Sequence, residues 1–254
     1  MTDDDLLDLF VARRGVICAV GAGGKKSTLY ALLARHPGRV ALTATVFTAH
    51  FPKHLRLESV IADETELPAR LAPLAEANRL GFAAPSDKPG RYSGIAPELV
   101  SRLHVDTARE ATFVKADGAR MRWMKAPREG EPVLPPDCST LICVLSAKAL
   151  GRPLSDEIAH RLPQISSVTG LQAGEIVEPK HFADLLVSDS GLLRGSAGRV
   201  VVPVINMVDD ARHEGPAREA AEAALAETDR FDRVILASMR REDQPVVAVI
   251  ARQP

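Results

Sequence analysis

Four groups of residues in this chain carry chemistry by type and spacing. The first is the run Gly21-Ala22-Gly23-Gly24-Lys25-Lys26-Ser27-Thr28, three glycines delivering two lysines and two hydroxyls. The second is Asp117, placed directly after an apolar run and before Gly118. The third is the basic loop holding Arg120, Arg122, Lys125 and Arg128, and the fourth is Asn206 with Asp209. Glycines let backbone N–H groups turn toward an anion, and a helix N-terminus adds partial positive charge, so the first group reads as a phosphate cradle. Its expected ligand-binding residues are Gly21, Ala22, Gly23, Gly24, Lys25, Lys26 and Ser27, and the expected ligand is ATP or GTP.

Two registers fit the loop. Ala19-x4-Gly24-Lys25 keeps the small first residue, the glycine and the lysine, and departs from the pattern at Lys26, where a hydroxyl is wanted for magnesium. Taking Lys26-Ser27 as the lysine–hydroxyl pair puts Lys25 where glycine is needed and Val20 where a small residue is needed, so the first register is preferred. Two lysines in a first helical turn each oppose the helix dipole by roughly 0.3–1 kcal/mol, a cost that a bound anion removes.

Asp117 at the end of a strand matches the place where a carboxylate holds magnesium or its water. With Ser27 it forms the expected metal pair. Lys25, Asp117, Arg120 and Lys125 are the expected catalytic set, the last two holding substrate or a terminal phosphate. Asn206-x-x-Asp209 matches part of a guanine-reading motif, in which the Asp accepts from the base and the Asn braces the loop; Met207 stands where that motif has lysine.

These residues need a scaffold that brings strand ends together. Apolar runs at Val16 to Val20, Val40 to Val46, Leu57 to Ile61, Ala111 to Val114, Ser139 to Leu145, Val200 to Ile205, Val234 to Ser238 and Val246 to Ile250 read as strands. Helices are expected over Leu6 to Arg13, from the glycine loop to His36-Pro37-Gly38, over Leu67 to Leu80, Glu178 to Leu186 and Glu214 to Thr228. Pro85 to Pro97 reads as a loop. Pro52 between His50 and His54 argues against a shared helical face for that pair. The alternation predicts an α/β fold: a doubly wound, mainly parallel sheet of P-loop NTPase type with helices on both faces. It is expected to be a single domain over residues 1–254, with insertions at about 47–110 and 146–199.

Composition is that of an ordinary globular chain: 254 residues, 46% hydrophobic, 26% charged, formal net charge −1. That balance gives no reason to expect a nucleic-acid or membrane partner. The acidic start Thr2-Asp3-Asp4-Asp5 lacks a signal peptide's basic region, and the expected location is the cytoplasm. Cys18, Cys138 and Cys143 form no CxxC and read as core residues.

Several ordered stretches resemble the YqeC family, accessory proteins for selenium-dependent molybdenum hydroxylases that are associated with selenium cofactor biosynthesis. They are Val20 to Lys25, Thr43 to Pro52, Ala116-Asp117-Gly118-Ala119-Arg120, Lys125-Ala126-Pro127, Glu131-Pro132 with Pro135, Gly151 with Arg161, and Asn206 with Asp209. The resemblance implies a nucleotide-binding P-loop fold and a role in maturing a molybdenum hydroxylase or its cofactor, with that enzyme or a cofactor-maturation protein as partner. Family members usually have Thr or Ser at the position of Lys26 and Glu at that of Lys115. Both changes put a cation where a metal-supporting group is expected, so the use of magnesium is in doubt. Two other classes stay open: an ATP-dependent ligase or kinase acting on a small acid, with a Mur-type loop, and a binding-only adaptor that has lost hydrolysis.

Overall fold

Each apolar run expected to be a strand folds as one in the computed structural model, which describes residues 2–252. The first part of the chain forms α1 (Asp3–Leu9), β1 (Gly15–Gly21), α2 (Lys25–Arg35), β2 (Val40–Ala44), β3 (Thr48–Ala49), β4 (Glu58–Ile61) and α3 (Leu67–Leu71). Next come β5 (Arg79–Ala83), β6 (Arg91–Tyr92), α4 (Pro97–Asp106), β7 (Ala111–Lys115), β8 (Met124–Lys125), β9 (Cys138–Ser146) and β10 (Ala159–His160). The last part forms α5 (Leu162–Thr169), α6 (Pro179–Val187), β11 (Val200–Asn206), α7 (Ala211–Glu227), β12 (Arg233–Ala237) and β13 (Val246–Ala251).

Nine strands make one sheet in the order β13-β12-β11-β9-β1-β7-β2-β5-β4. The ladders β1–β7, β2–β7, β2–β5, β4–β5 and β11–β12 are parallel, and β12–β13 is antiparallel. This is the mainly parallel α/β sheet that the alternating pattern predicts. Near-continuous burial along β1, β2, β7 and β9 is what parallel strands covered on both faces require. Among the described residues no helix is long and apolar enough to cross a membrane.

The chain divides into two compact units. One holds residues 2–19, 29–117 and 133–141; the other holds 20–28, 118–132 and 142–252. In the first unit, β7 lies between β1 and β2, with Ala19 opposite Lys115 and Lys115 opposite Ala44. The stretch 47–110 supplies the sheet strands β4 and β5. The expected helix from Leu67 to Leu80 is shorter than its composition suggests. It stops at Leu71, a 3-10 turn follows over Ala72–Leu74, and Arg79 and Leu80 already pair with Val40 and Ala41 in β5. The expected loop from Pro85 to Pro97 contains the short strand β6, which pairs with β3, and ends at the first residue of α4. Gly94 sits against the Thr45–Val46 peptide, where a Cβ would overlap backbone.

In the second unit α7 is capped by Asp210, whose carboxylate accepts from the Arg212 and His213 N–H groups. The helix buries Ala217, Ala220, Ala221, Ala224 and Leu225, a stripe at helical spacing. It packs against α6, β12 and β13. Burying a face of alanines lets those elements approach closely.

Candidate functional site

The glycine run folds as a tight turn from β1 into α2, which begins at Lys25. Gly21, Gly23 and Gly24 have φ of +91°, +81° and +134°, the region that L side chains rarely adopt. Each is also hemmed in: a Cβ would overlap Val144 O at Gly21, the Ser146 side chain at Gly23 and the Asn206 amide at Gly24. Three glycines are therefore required by conformation and by space at once. Among the described residues no acceptor partners the N–H groups of Gly23 and Gly24. Lys25 is buried, and its ammonium folds back to donate to Gly21 O, closing a ring over the turn. The Ser27 and Thr28 hydroxyls both donate to Gly24 O, at 2.8 and 3.1 Å. Lys26 is half-buried.

A second strand end braces this turn. Asn206, the last residue of β11 and 2% exposed, donates from Nδ2 to Gly23 O at 2.9 Å and accepts on Oδ1 from Met239 N–H at 3.2 Å. Met207 takes a left-handed φ of +60°, and the chain turns there toward Asp209. The Asp209 carboxylate accepts from Ser238 Oγ at 2.7 Å and pairs with Lys148 Nζ at 3.0 Å, with Arg240 at 3.8 Å. Burial works against its ionisation. The Ser238 and Lys148 hydrogen bonds outweigh that and hold its pKa below the usual aspartate value.

The basic loop is organised around Glu131. Lys125 Nζ sits at 2.8 Å from Glu131 Oε2 and donates at 2.7 Å to Gly118 O, with its side chain wholly withdrawn from solvent. Arg161 grips the same carboxylate with two bonds of 2.6 Å, one to each oxygen. Arg128 approaches Glu131 at 4.0 Å. At Glu131, too, burial opposes ionisation, and the Arg161 and Lys125 hydrogen bonds overturn it, leaving the pKa below the ordinary glutamate value. The backbones of Lys125 and His160 are paired in the β8–β10 ladder. Burial, then the charges of Arg161, Lys125 and Arg120, push the His160 imidazole down to about 4, so it is neutral at physiological pH. This hub meets the glycine turn through β9: Ser146, which packs on Gly23, donates its N–H to Trp123 O at 2.9 Å.

The structure thus gathers Gly21 to Ser27, Asn206, Asp209, Arg120 and Lys125 in one unit. Lys125 points inward, where it ties Glu131 to the Gly118 carbonyl. Asp117 belongs to the other unit and is 2% exposed, two residues past the end of β7. In that unit Lys115 donates to Phe47 O at 2.7 Å, Thr43 to Phe82 O at 2.7 Å and Thr45 to Val133 O at 2.6 Å. His50 stacks on Tyr92 with ring centroids 4.4 Å apart.

Sequence reading passed over Ser146, Lys148, His160 and Ser238, and placed Glu131 and Arg161 only through the family resemblance. Ser238 had a signal: it directly follows β12, which is parallel to β11 with Ile205 opposite Leu236, so β12 ends level with Asn206 and Ser238 comes one step later. Glu131 and Arg161 lie 30 residues apart and carried no local signal.

The donor set fits a phosphate group, with glycine N–H groups at a helix start and a lysine folded over them. Among the described residues no cluster of three or more His, Cys, Asp or Glu side chains is placed to hold a metal ion. A magnesium ion bound through phosphates asks for only one or two protein ligands, so it does not require such a cluster.

Comparison with known proteins gives two matches. The family model described as YqeC protein matches residues 17–163, a span that contains the glycine turn, Asp117, the Glu131 hub and Arg161. The chain is 32% identical over 176 residues to the uncharacterized protein YqeC of Escherichia coli (strain K12). That alignment covers 65% of this chain, which in turn spans 65% of the relative's length.

Proposed function

Since the chain belongs to the YqeC family, we propose that it is a nucleoside-triphosphate-binding accessory protein acting in the maturation of a molybdenum hydroxylase or its cofactor. The observation that carries the nucleotide part is the glycine turn closed by Lys25 and braced by Asn206. The Gly23 and Gly24 N–H groups and the α2 N-terminus receive phosphate oxygens. Lys25 moves from Gly21 O to the phosphates, exchanging a neutral acceptor for a charged one. Asn206 holds the turn in its binding shape, and Asp209, oriented by Ser238 and Lys148, reads the base. A carboxylate accepts from the two adjacent N–H groups on the edge of guanine, whereas adenine offers no such pair, so GTP is the expected preference. If magnesium is used, the Ser27 hydroxyl of the turn would be a protein ligand, and the ion would neutralise phosphate charge. The role in hydroxylase maturation rests on the family resemblance alone.

The test is a calorimetric panel of ATP, GTP and CTP against the full chain, each with and without magnesium. Saturable binding that is lost in Gly24→Ala supports the reading. No binding by any of the three, in either condition, overturns it.

A second reading is favoured by one feature: Ser27 and Thr28 both spend their hydroxyls on Gly24 O, and Lys26 stands where a hydroxyl is wanted. On this reading the chain binds nucleotide without turning it over. Restoring Thr at 26 and Glu at 115 then raises turnover. Hydrolysis by the unaltered chain, stimulated by a small acid, would point to the ligase or kinase class.

A further inference from the structure

The Glu131 hub holds more positive charge than one carboxylate neutralises. Both Glu131 oxygens are engaged, Oε1 by Arg161 and Oε2 by Arg161 and Lys125. Among the described residues the ion pairs of Arg161 and Arg128 all end on Glu131, and Arg120 forms none. The surrounding backbone is held in costly shapes. Arg120, Met121 and Arg161 have φ of +46°, +60° and +73°, left-handed conformations that disfavour residues other than glycine. Strain of this kind persists only where surrounding contacts over-determine it, and it gathers at ligand sites. There is also room, because a Cβ on Gly118, whose carbonyl caps Lys125, would meet nothing within 4 Å.

We propose that Arg120, His160 and Arg161 form a second anion subsite, separate from the glycine turn, that takes a compact oxyanion, phosphate or carboxylate, carried by a co-substrate. Lys125 and Glu131 are positioning residues: Glu131 fixes the Arg161 plane and Lys125 fixes Glu131. The site gives the nucleotide-binding reading an acidic acceptor. It rests on that reading for the acceptor's role, though not for the binding itself. His160 senses the local field. Burial first, then the charges of Arg161, Lys125 and Arg120, hold its pKa at about 4 while Glu131 alone pulls upward, so an arriving anion adds to the Glu131 side and raises it. A neutral imidazole also leaves one N–H to donate to the oxyanion.

The experiment follows the His160 imidazole resonances of the full chain by NMR as inorganic phosphate, and separately acetate, is added without nucleotide. A saturable shift with a raised His160 pKa, for either anion, is the expected result. It persists in Lys25→Gln and in unaltered protein saturated with GTP or ATP. Arg120→Gln weakens it by about tenfold, the loss of one charge-assisted hydrogen bond. No saturable change with either anion overturns the second subsite. So does a change abolished by Lys25→Gln or competed away by nucleotide, which would put the phosphate in the glycine turn and leave the nucleotide reading standing. Failure of the nucleotide panel with a retained phosphate response at His160 would have the opposite meaning.

Discussion

Glu131 and Asp209 belong to the same unit, both are partly withdrawn from water, and both lose their protons more readily than free carboxylates do. They reach that state differently. Glu131 is 10% exposed and is gripped by one guanidinium and one fully buried ammonium. Asp209 is 23% exposed and is held by a hydroxyl and a half-exposed lysine. The first carboxylate is consumed in holding two cations in place. The second is oriented and still open on one side, with lone pairs to spare beyond those taken by Ser238 and Lys148. One unit thus contains a carboxylate closed in by two cations and a carboxylate that keeps part of its surface exposed.

Substitutions separate the two. The largest effect is expected for Glu131→Ala, which leaves Lys125 buried without its carboxylate and costs about 3–5 kcal/mol in urea unfolding. A loss no greater than at Asp209 would erase the contrast. Next is the response to acid. His160 has a folded pKa of about 4 against an ordinary 6.5, so between those values the unfolded chain binds a proton that the folded chain does not, and stability falls as pH drops through that window. His104 and His181 shift in the same direction, so His160→Gln should flatten this stage without abolishing it. Glu131 acts lower. Its pKa is depressed on folding, so its contribution is complete above the ordinary 4.5 and is lost as pH falls through its folded value. Urea midpoints taken across pH should show both stages.

Asp209→Asn should cost under about 1 kcal/mol, as for other partly exposed pairs, yet should remove any preference of GTP over ATP in competition binding. Retained preference would show that the base is read elsewhere. The smallest change is expected for Ser238→Ala, about 0.5–1.5 kcal/mol for one hydrogen bond. The Asp209 pKa, followed by carboxyl NMR, should then move back toward the ordinary aspartate value.

What was legible in the chain follows the range of each interaction. The glycine turn was readable because three glycines within four residues have few physical explanations, and the overlaps at Val144, Ser146 and Asn206 supply one. Strands rich in Val, Ile and Leu were readable for the same local reason. β5 was not: Arg79-Leu80-Gly81-Phe82-Ala83 has no β-branched residue and follows an Ala- and Leu-rich helix, so local propensity carried the helix into its first two residues. Its pairing with β2 and β4 decides otherwise, and Gly81 leaves the space that Phe51 and Leu57 fill. The basic loop was noticed as charge, but its direction was hidden. Lys125 faces Glu131 and the Gly118 carbonyl, and the same carboxylate is held by Arg161 from a distant segment.

The Asn206 amide has a further consequence. Its NH2 end meets a carbonyl and its oxygen end meets an N–H. Turning the group by half a revolution would set oxygen against oxygen and hydrogen against hydrogen, so two attractions would become two repulsions. An aspartate of the same shape would still suit Met239 and would repel Gly23. Leucine would suit neither. The position therefore reads out chemical direction, and among side chains of this size asparagine alone satisfies both ends.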